Sequence, residues 1–242
     1  MLNKINICSD KDVLYITDDE KEAEKLLKEK EAVLFVCENL EKAPFIQGCR
    51  YVTDKEGAKD YGYLTMVYSR YKNIPLKILE TERTYVREIT TDDVKALYAL
   101  YDEEAVKYVE PLYEYEEEVL FTEKYIENMY GFYGYGLWLV FEKGTDELIG
   151  RAGIEIRNID GEDKNELAYI IRKDYRRKGY GYEVCKAILN YAFTELSVDE
   201  MMIVIEKDNV PSISMADRLG ATPIALSAIN GCEYMIFQCR NN

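Results

Sequence analysis

Apolar and polar positions change period several times along this chain, and each change predicts an element. "VLYIT" (Val13 to Thr17) and "VLFVCE" are short, continuous apolar runs that read as buried strands. Between them "DDEKEAEKLLKEKEA" carries helix-forming residues, with Asp18 or Asp19 placed to cap it. "RYVTD" reads as a short third strand and "EGAKDYGYLTMVYSRYKNI" as a helix. Strand, helix, strand in this order predicts a small βαβ unit with a parallel sheet over residues 1–79. "NIPLKILETER" (Asn73 to Arg83) reads as the connector to a second domain, residues 80–242.

The order then changes. "TYVREI" is a strand, and "TTDDVKALYALYDEE" is a helix with a Thr/Asp start. After the "VEPLYEY" loop, "YEEEVLFTEKYIENMYGF" is a second helix. "YGLWLVFEK" and "ELIGRAGIEIRN" are strands joined by "GTDE", and "NELAYIIR" is a further strand. A helix starts near Gly179. Its apolar residues Val184, Cys185, Ile188, Leu189, Ala192, Phe193 and Leu196 make a stripe that predicts a core-facing side. "MMIVIE" is a strand, "VPSISMADRLG" a helix, and "TPIALSA" with "EYMIFQC" a closing antiparallel pair around Asn230 and Gly231. No internal repeat or low-complexity stretch interrupts this order.

Composition narrows the chemistry. With 31 basic against 46 acidic side chains the net charge is −15. That argues against a general nucleic-acid surface, which needs a dominant cationic face, and suits a cationic partner. There is no histidine. Ser-His-Asp and Cys-His catalysis and any His-bearing zinc site are therefore excluded. Acid and base work falls to Glu, Asp, Tyr, Cys, Ser or Lys. The six cysteines, Cys8, Cys37, Cys49, Cys185, Cys232 and Cys239, form no CxxC pair, and several read as buried thiols. No metal site is expected. The N-terminus is too charged for a signal peptide, and no apolar run reaches membrane-spanning length. The expected location is cytoplasmic, with no membrane partner.

One stretch stands out against this acidic background. "IIRKDYRRKGYGYEVCKAIL" joins a strand to a helix through Arg176-x-x-Gly179-x-Gly181. Glycines let backbone approach a ligand, and the uncovered N–H groups at a helix start favour an anion. Arg176, Arg177 and Lys178 add positive charge. The stretch is neither a Walker A loop nor a complete dinucleotide fingerprint. The other glycine cluster, "GFYGYG", has no basic residue and reads as a connector.

The stretch resembles motif A of the GNAT acyltransferase superfamily, whose [QR]xxGx[GA] loop binds the pyrophosphate of acetyl coenzyme A. "IEKDNVPSISMADRLGA" is similar to the family's second motif, matched at Asn209, Ser212 and Gly220. The element order from Thr84 to Cys239 also matches, which is about two thirds of the chain. "NELAYIIRKDYRRKGYGYEV" most resembles the ribosomal-protein N-terminal acetyltransferase branch. The fold this implies is mixed α/β: a GNAT fold with its central mixed sheet splayed between the fourth and fifth strands. Ahead of it lies the small βαβ unit, similar to a Rossmann-like fragment. That unit lacks a phosphate loop and the DxDxT loop of haloacid-dehalogenase-like phosphatases, and no residue in it indicates its role.

The resemblance implies an N-acetyltransferase that moves an acetyl group from acetyl-CoA to a primary amine by direct attack. Backbone groups of Tyr169, Ile170 and Ile171 would hold the pantetheine. Arg176, Arg177, Lys178, Gly179, Tyr180, Gly181 and Tyr182 would wrap the pyrophosphate, and Asn209 would touch the pantetheine arm. Glu166 is the expected base, through a bridging water, and Ser212 the expected acid. Glu110, Glu114, Tyr113 and Tyr135 would orient a small-molecule or peptide amine. The family's Tyr falls on Ala216, and its GF pair becomes Gly220-Ala221. The first change keeps open an acyl-CoA-binding module without turnover. A homodimer is left open, as is a lid or interaction role for the N-terminal unit.

Overall fold

The computed structural model describes residues 3–7, 9, 11–229 and 232–241. Cys8, Asn230 and Gly231 lie outside the described residues. The chain divides into two compact units at residues 76 and 77.

In the first unit β1 (Asn3–Asn6) pairs antiparallel with β2 (Val13–Thr17), then comes α1 (Glu20–Lys28). β3 (Ala32–Val36) and β4 (Val52–Thr53) complete a four-stranded sheet in the order β1-β2-β3-β4, and β2, β3 and β4 run parallel. α2 is Tyr61–Tyr71. Asp19 caps α1 by accepting from the N–H groups of Lys21 and Glu22. The expected βαβ arrangement is present. β1 is an addition that its mixed composition, "NKIN", did not signal.

The second unit is built on an eight-stranded sheet. Its strands are β5 (Lys77–Glu80), β6 (Thr84–Arg87), β7 (Leu137–Glu142), β8 (Leu148–Ile159) and β9 (Glu162–Ile171), then β10 (Glu200–Glu206), β11 (Thr222–Ile229) and β12 (Cys232–Arg240). The order across the sheet is β11-β12-β10-β9-β8-β7-β6-β5. The second half of the stretch read as a connector is thus a strand: β5 forms a hairpin with β6. α3 (Val94–Leu97) and α4 (Tyr115–Tyr125) lie between β6 and β7. The helix expected over "TTDDVKALYALYDEE" is only a set of short turns around α3. They are anchored by a capping box in which Thr90 and Asp93 satisfy each other's backbone, with Asp93 also gripped by Arg87 at 2.7 Å. α4 runs on into a wide π-helical turn, Ile126–Tyr133.

β8 and β9 are one long hairpin with ten register pairs. Its tip is Asp160-Gly161, with φ of 53° and 88°. Two positive φ values define the primed turn that matches strand twist, for which Asp-Gly is among the best sequences. α5 (Tyr180–Thr194) follows β9, and α6 (Val210–Arg218) follows β10. The α5 stripe is buried at Val184, Cys185, Ile188, Leu189 and Ala192, with Phe193 and Leu196 half-buried, as the spacing requires. Trp138 of β7 is wholly buried and meets Tyr191 of α5 edge-on at 5.7 Å. Cys185 and Cys239 are buried free thiols, whereas Cys37 and Cys49 are half-buried and Cys232 is exposed. No helix among the described residues is long and apolar enough to cross a membrane.

Candidate active site

β9 and β10 run parallel but share a single register pair, Met202 with Glu166. Beyond it they part. Each strand stays fully paired on its other side, β9 with β8 and β10 with β12. The splay expected at this point is therefore present, and it leaves strand-edge backbone groups facing a gap. A cleft of about 850 Å³ opens there. Its walls include Leu167 to Ile170, Ile203 to Glu206, Asn209 and Ser212 of α6, and the Lys107 to Tyr113 loop.

Glu166 sits at the fork. It is only 5% exposed, and its carboxylate accepts from Arg157 Nε at 2.6 Å and from the Val204 N–H. Burial pushes its carboxyl up to about 7, and the neighbouring Glu155 pushes the same way. Arg157 and the Val204 N–H pull down without overcoming this. Glu155 lies directly across the hairpin from Glu166. It too is raised, chiefly by burial, against the pull of Arg151 and Arg157. Like charges opposite one another repel, so the pair favours holding a proton. A buried carboxyl poised near neutrality is what a general base requires.

The basic turn lies at the other end of β9. Gly179, at φ 87°, precedes α5, and no side chain caps the helix. The first N–H groups of a fifteen-residue helix are thus left for an external acceptor. Arg177 and Lys178 are exposed beside them. The turn is braced from behind. Arg83 donates to the Lys178 carbonyl at 3.0 Å, pairs with Glu183 at 2.6 Å and covers the Tyr180 ring at 4.1 Å. Burial pushes the Glu183 carboxyl up, but hydrogen bonds from Thr81 and Arg83 outweigh it and hold the group ionised.

The remaining expected residues fall as follows. Arg176 faces away from the turn's open side: it donates to the Ile171 carbonyl and pairs with Asp102 and Glu104. It is a tie between the end of β9 and the residue 102–104 loop. The Tyr180 side chain is buried and donates to Glu142, so only its backbone can face a ligand. Tyr182 is half-buried under Arg218 at 4.0 Å. Gly181 packs closely on α6: a Cβ would stand 2.8 Å from the terminal methyl of Met215, which would have to swing aside. Asn209 lines the cleft and caps α6 through a long hydrogen bond from the Ser212 N–H. Its amide keeps a donor after that bond is made. Ser212 also lines the cleft, close enough to act on the Tyr169 hydroxyl electrostatically but not in hydrogen-bond geometry. Glu110 and Tyr113 are on the cleft wall. Tyr135 is not: its hydroxyl donates to Asn165 at 2.8 Å. Ala216 is wholly buried, so no hydroxyl replaces the family's Tyr at that position.

Sequence reasoning missed Arg151, Glu155 and Arg157, which line the cleft together. The signal was available. In "RAGIEIR" strand alternation puts residues 151, 155 and 157 on one face, and charges on an otherwise apolar strand need a reason.

The family model described as an acetyltransferase (GNAT) domain matches residues 83–222. The chain belongs to the GNAT acetyltransferase family. Among its relatives is the uncharacterized protein YkkB of Bacillus subtilis (strain 168). It is 32% identical over 88 residues, which is 36% of this chain and 51% of YkkB. The chain thus spans about half the length of that relative. The uncharacterized N-acetyltransferase YnaD of the same organism is 28% identical over 145 residues, 59% of this chain and 81% of YnaD. Among solved structures, a ribosomal-protein-S5-alanine acetyltransferase from Vibrio fischeri superposes with a TM-score of 0.57 at 16% identity. It covers 68% of this chain and 96% of its own. At that identity the likeness is one of fold: the mixed sheet, splayed where β9 leaves β10, is the GNAT sheet.

Proposed function

We propose that this GNAT domain transfers an acetyl group from acetyl-CoA to a primary amine in a ternary complex, with Glu166 as the base. The observation that carries the reading is the fork. The one place where β9 and β10 still pair carries a buried carboxyl near neutrality, at the floor of a cleft edged by unpaired backbone.

The residues present fit the nucleotide thioester. The uncapped start of α5, Arg177 and Lys178 offer amides and charge to its pyrophosphate. The edge of β9 from Tyr169 to Ile171, apart from the Ile171 carbonyl that Arg176 holds, offers backbone partners to the pantetheine. Acetyl-CoA supplies the acetyl group already activated as a thioester. Glu166 takes the proton from the incoming ammonium, directly or through a water, and frees the nitrogen lone pair. Backbone N–H groups of β9 face the oxygen on which negative charge develops. The amine forms the C–N bond as the C–S bond breaks, and the proton the nitrogen then sheds would reach the departing sulfur through Ser212 Oγ.

Calorimetric titration with acetyl-CoA, followed by detection of acetylated product across a panel of amines, tests this reading. Binding and turnover are the expected result, and a chain that does not bind acetyl-CoA overturns it. Binding without turnover of any amine supports the second reading, an acyl-CoA-binding module, which the buried Ala216 at the family's Tyr position favours.

A pH profile follows from the same site. Glu166 must be ionised to accept a proton, and its carboxyl is held up to about 7. The kcat/KM of the parent should therefore rise about tenfold per pH unit below 7 and level off above it. A profile flat from pH 5.5 to 8 would exclude Glu166 as the base.

A further inference from the structure

Arg151 is the most deeply buried cation on the cleft wall. It is 7% exposed, yet it forms no ion pair among the described residues. Of its five donor hydrogens, one goes to the Tyr101 hydroxyl at 3.3 Å, and Nε has no acceptor. The guanidinium also lies 5.5 Å from the Tyr125 ring centre. Carboxylates are abundant nearby: Glu110, Glu118, Glu155, Glu166 and Glu206 share the cleft. Arg151 is near enough to Glu155 to pull its carboxyl down, but the two do not bond.

A buried guanidinium with most of its donors unmet is costly unless something else meets them. Tyr101 and Tyr125 hold it from two sides, which fixes the planar fork in place. Such a fork matches the two oxygens of a carboxylate. We propose that Arg151 receives the carboxylate of the acceptor, and that the preferred acceptor is a small molecule bearing both a primary amine and a carboxylate, a free amino acid being the simplest case. This rests on the acetyl-transfer reading above for the fate of the amine.

The placement suits a zwitterion. Arg151 and Glu155 are on the same face of β8, four residues or about 13 Å of strand apart, with Glu166 opposite Glu155. Both side chains line the same cleft. The acidic end takes the ammonium, and the arginine end takes the carboxylate. A polyamine would bring a second cation toward Arg151 and be disfavoured there. An amide-capped acceptor would leave the guanidinium unmet.

The test is calorimetric binding of the twenty common L-amino acids, each beside its own carboxamide, to the full chain, with and without coenzyme A. Coenzyme A carries no acetyl group, so binding is read apart from turnover. At least one free acid should bind ten or more times tighter than its amide. Arg151→Met should erase that ratio while leaving the melting temperature and coenzyme A affinity near those of the parent. Arg151→Lys, which keeps the charge but loses the fork, should restore part of it and serves as well should the Met variant fold poorly. No acid preferred over its amide, or a preference that survives Arg151→Met, overturns the proposal. Acetyl-CoA binding with no acid preference would overturn this inference alone. An acid preference without acetyl-CoA binding would support it and overturn the acetyl-transfer reading.

Discussion

Glu166→Gln should lower kcat by about 10²- to 10⁴-fold, the usual worth of a positioned general base, and leave acetyl-CoA affinity within about twofold. The substitution keeps the size of the side chain and one acceptor oxygen at the fork, and removes the charge and the ability to take a proton. Glu155 lies opposite and could carry part of the load, so Glu155→Gln in the same background should lower the residual rate further. A second readout comes from stability. The Glu166 carboxyl is held up to about 7 when folded, against about 4.3 in an unfolded chain. Folding therefore favours its protonated form. The penalty for ionising it is absent below about pH 4 and grows to roughly 4 kcal/mol above pH 7. Gln is neutral at every pH and escapes that penalty, less what Arg157 loses as its partner. The melting temperature of Glu166→Gln should exceed that of the parent by a margin that widens from pH 5 to pH 8. A margin that stays constant would mean that Arg157 keeps Glu166 ionised throughout.

Reversing both exposed cations of the turn, Arg177→Glu with Lys178→Glu, should weaken acetyl-CoA binding at least a hundredfold at low salt. Hydrogen bonds to charged groups are each worth about 1.5–3 kcal/mol, and two such contacts give way to repulsion. The fold should be indifferent, since both side chains are exposed and the brace from Arg83 reaches only the Lys178 carbonyl. The loss should shrink as salt rises, because exposed charges are screened. Acetyl-pantetheine, which lacks the pyrophosphate, provides the control: it should bind parent and variant alike. Equal loss for both ligands would place the damage in the cleft and not in phosphate recognition.

Local sequence carried much of this molecule. The apolar stripe of α5 is set by side-chain spacing, and the positive φ at Gly179 by the one residue type that adopts it freely. The parallel β2-β3 unit follows from two apolar runs around a charged helix. These features depend on interactions within a few residues, which is why they are legible. The basic turn belongs with them, since its charge and the uncapped start of α5 follow from neighbouring residues.

Tertiary structure decided the rest. The resemblance names Glu166 as a base, but only the meeting of β9 with β10 and β8 buries its carboxyl. Its carboxyl responds to Val204 on β10 and to Arg157 and Glu155 on β8, none of them near in sequence. Arg176 belongs to the motif by spacing, but Asp102 and Glu104, more than seventy residues earlier, claim its charge. Tyr135 looked like part of an acceptor wall until Asn165 took its hydroxyl. Arg151 shares a strand face with Glu155 and Arg157, and its burial and unmatched charge appear only in the folded chain. Spacing determines which face a side chain occupies. Burial, charge pairing and the opening of a cleft depend on which distant strands meet, and here they meet at a single pair.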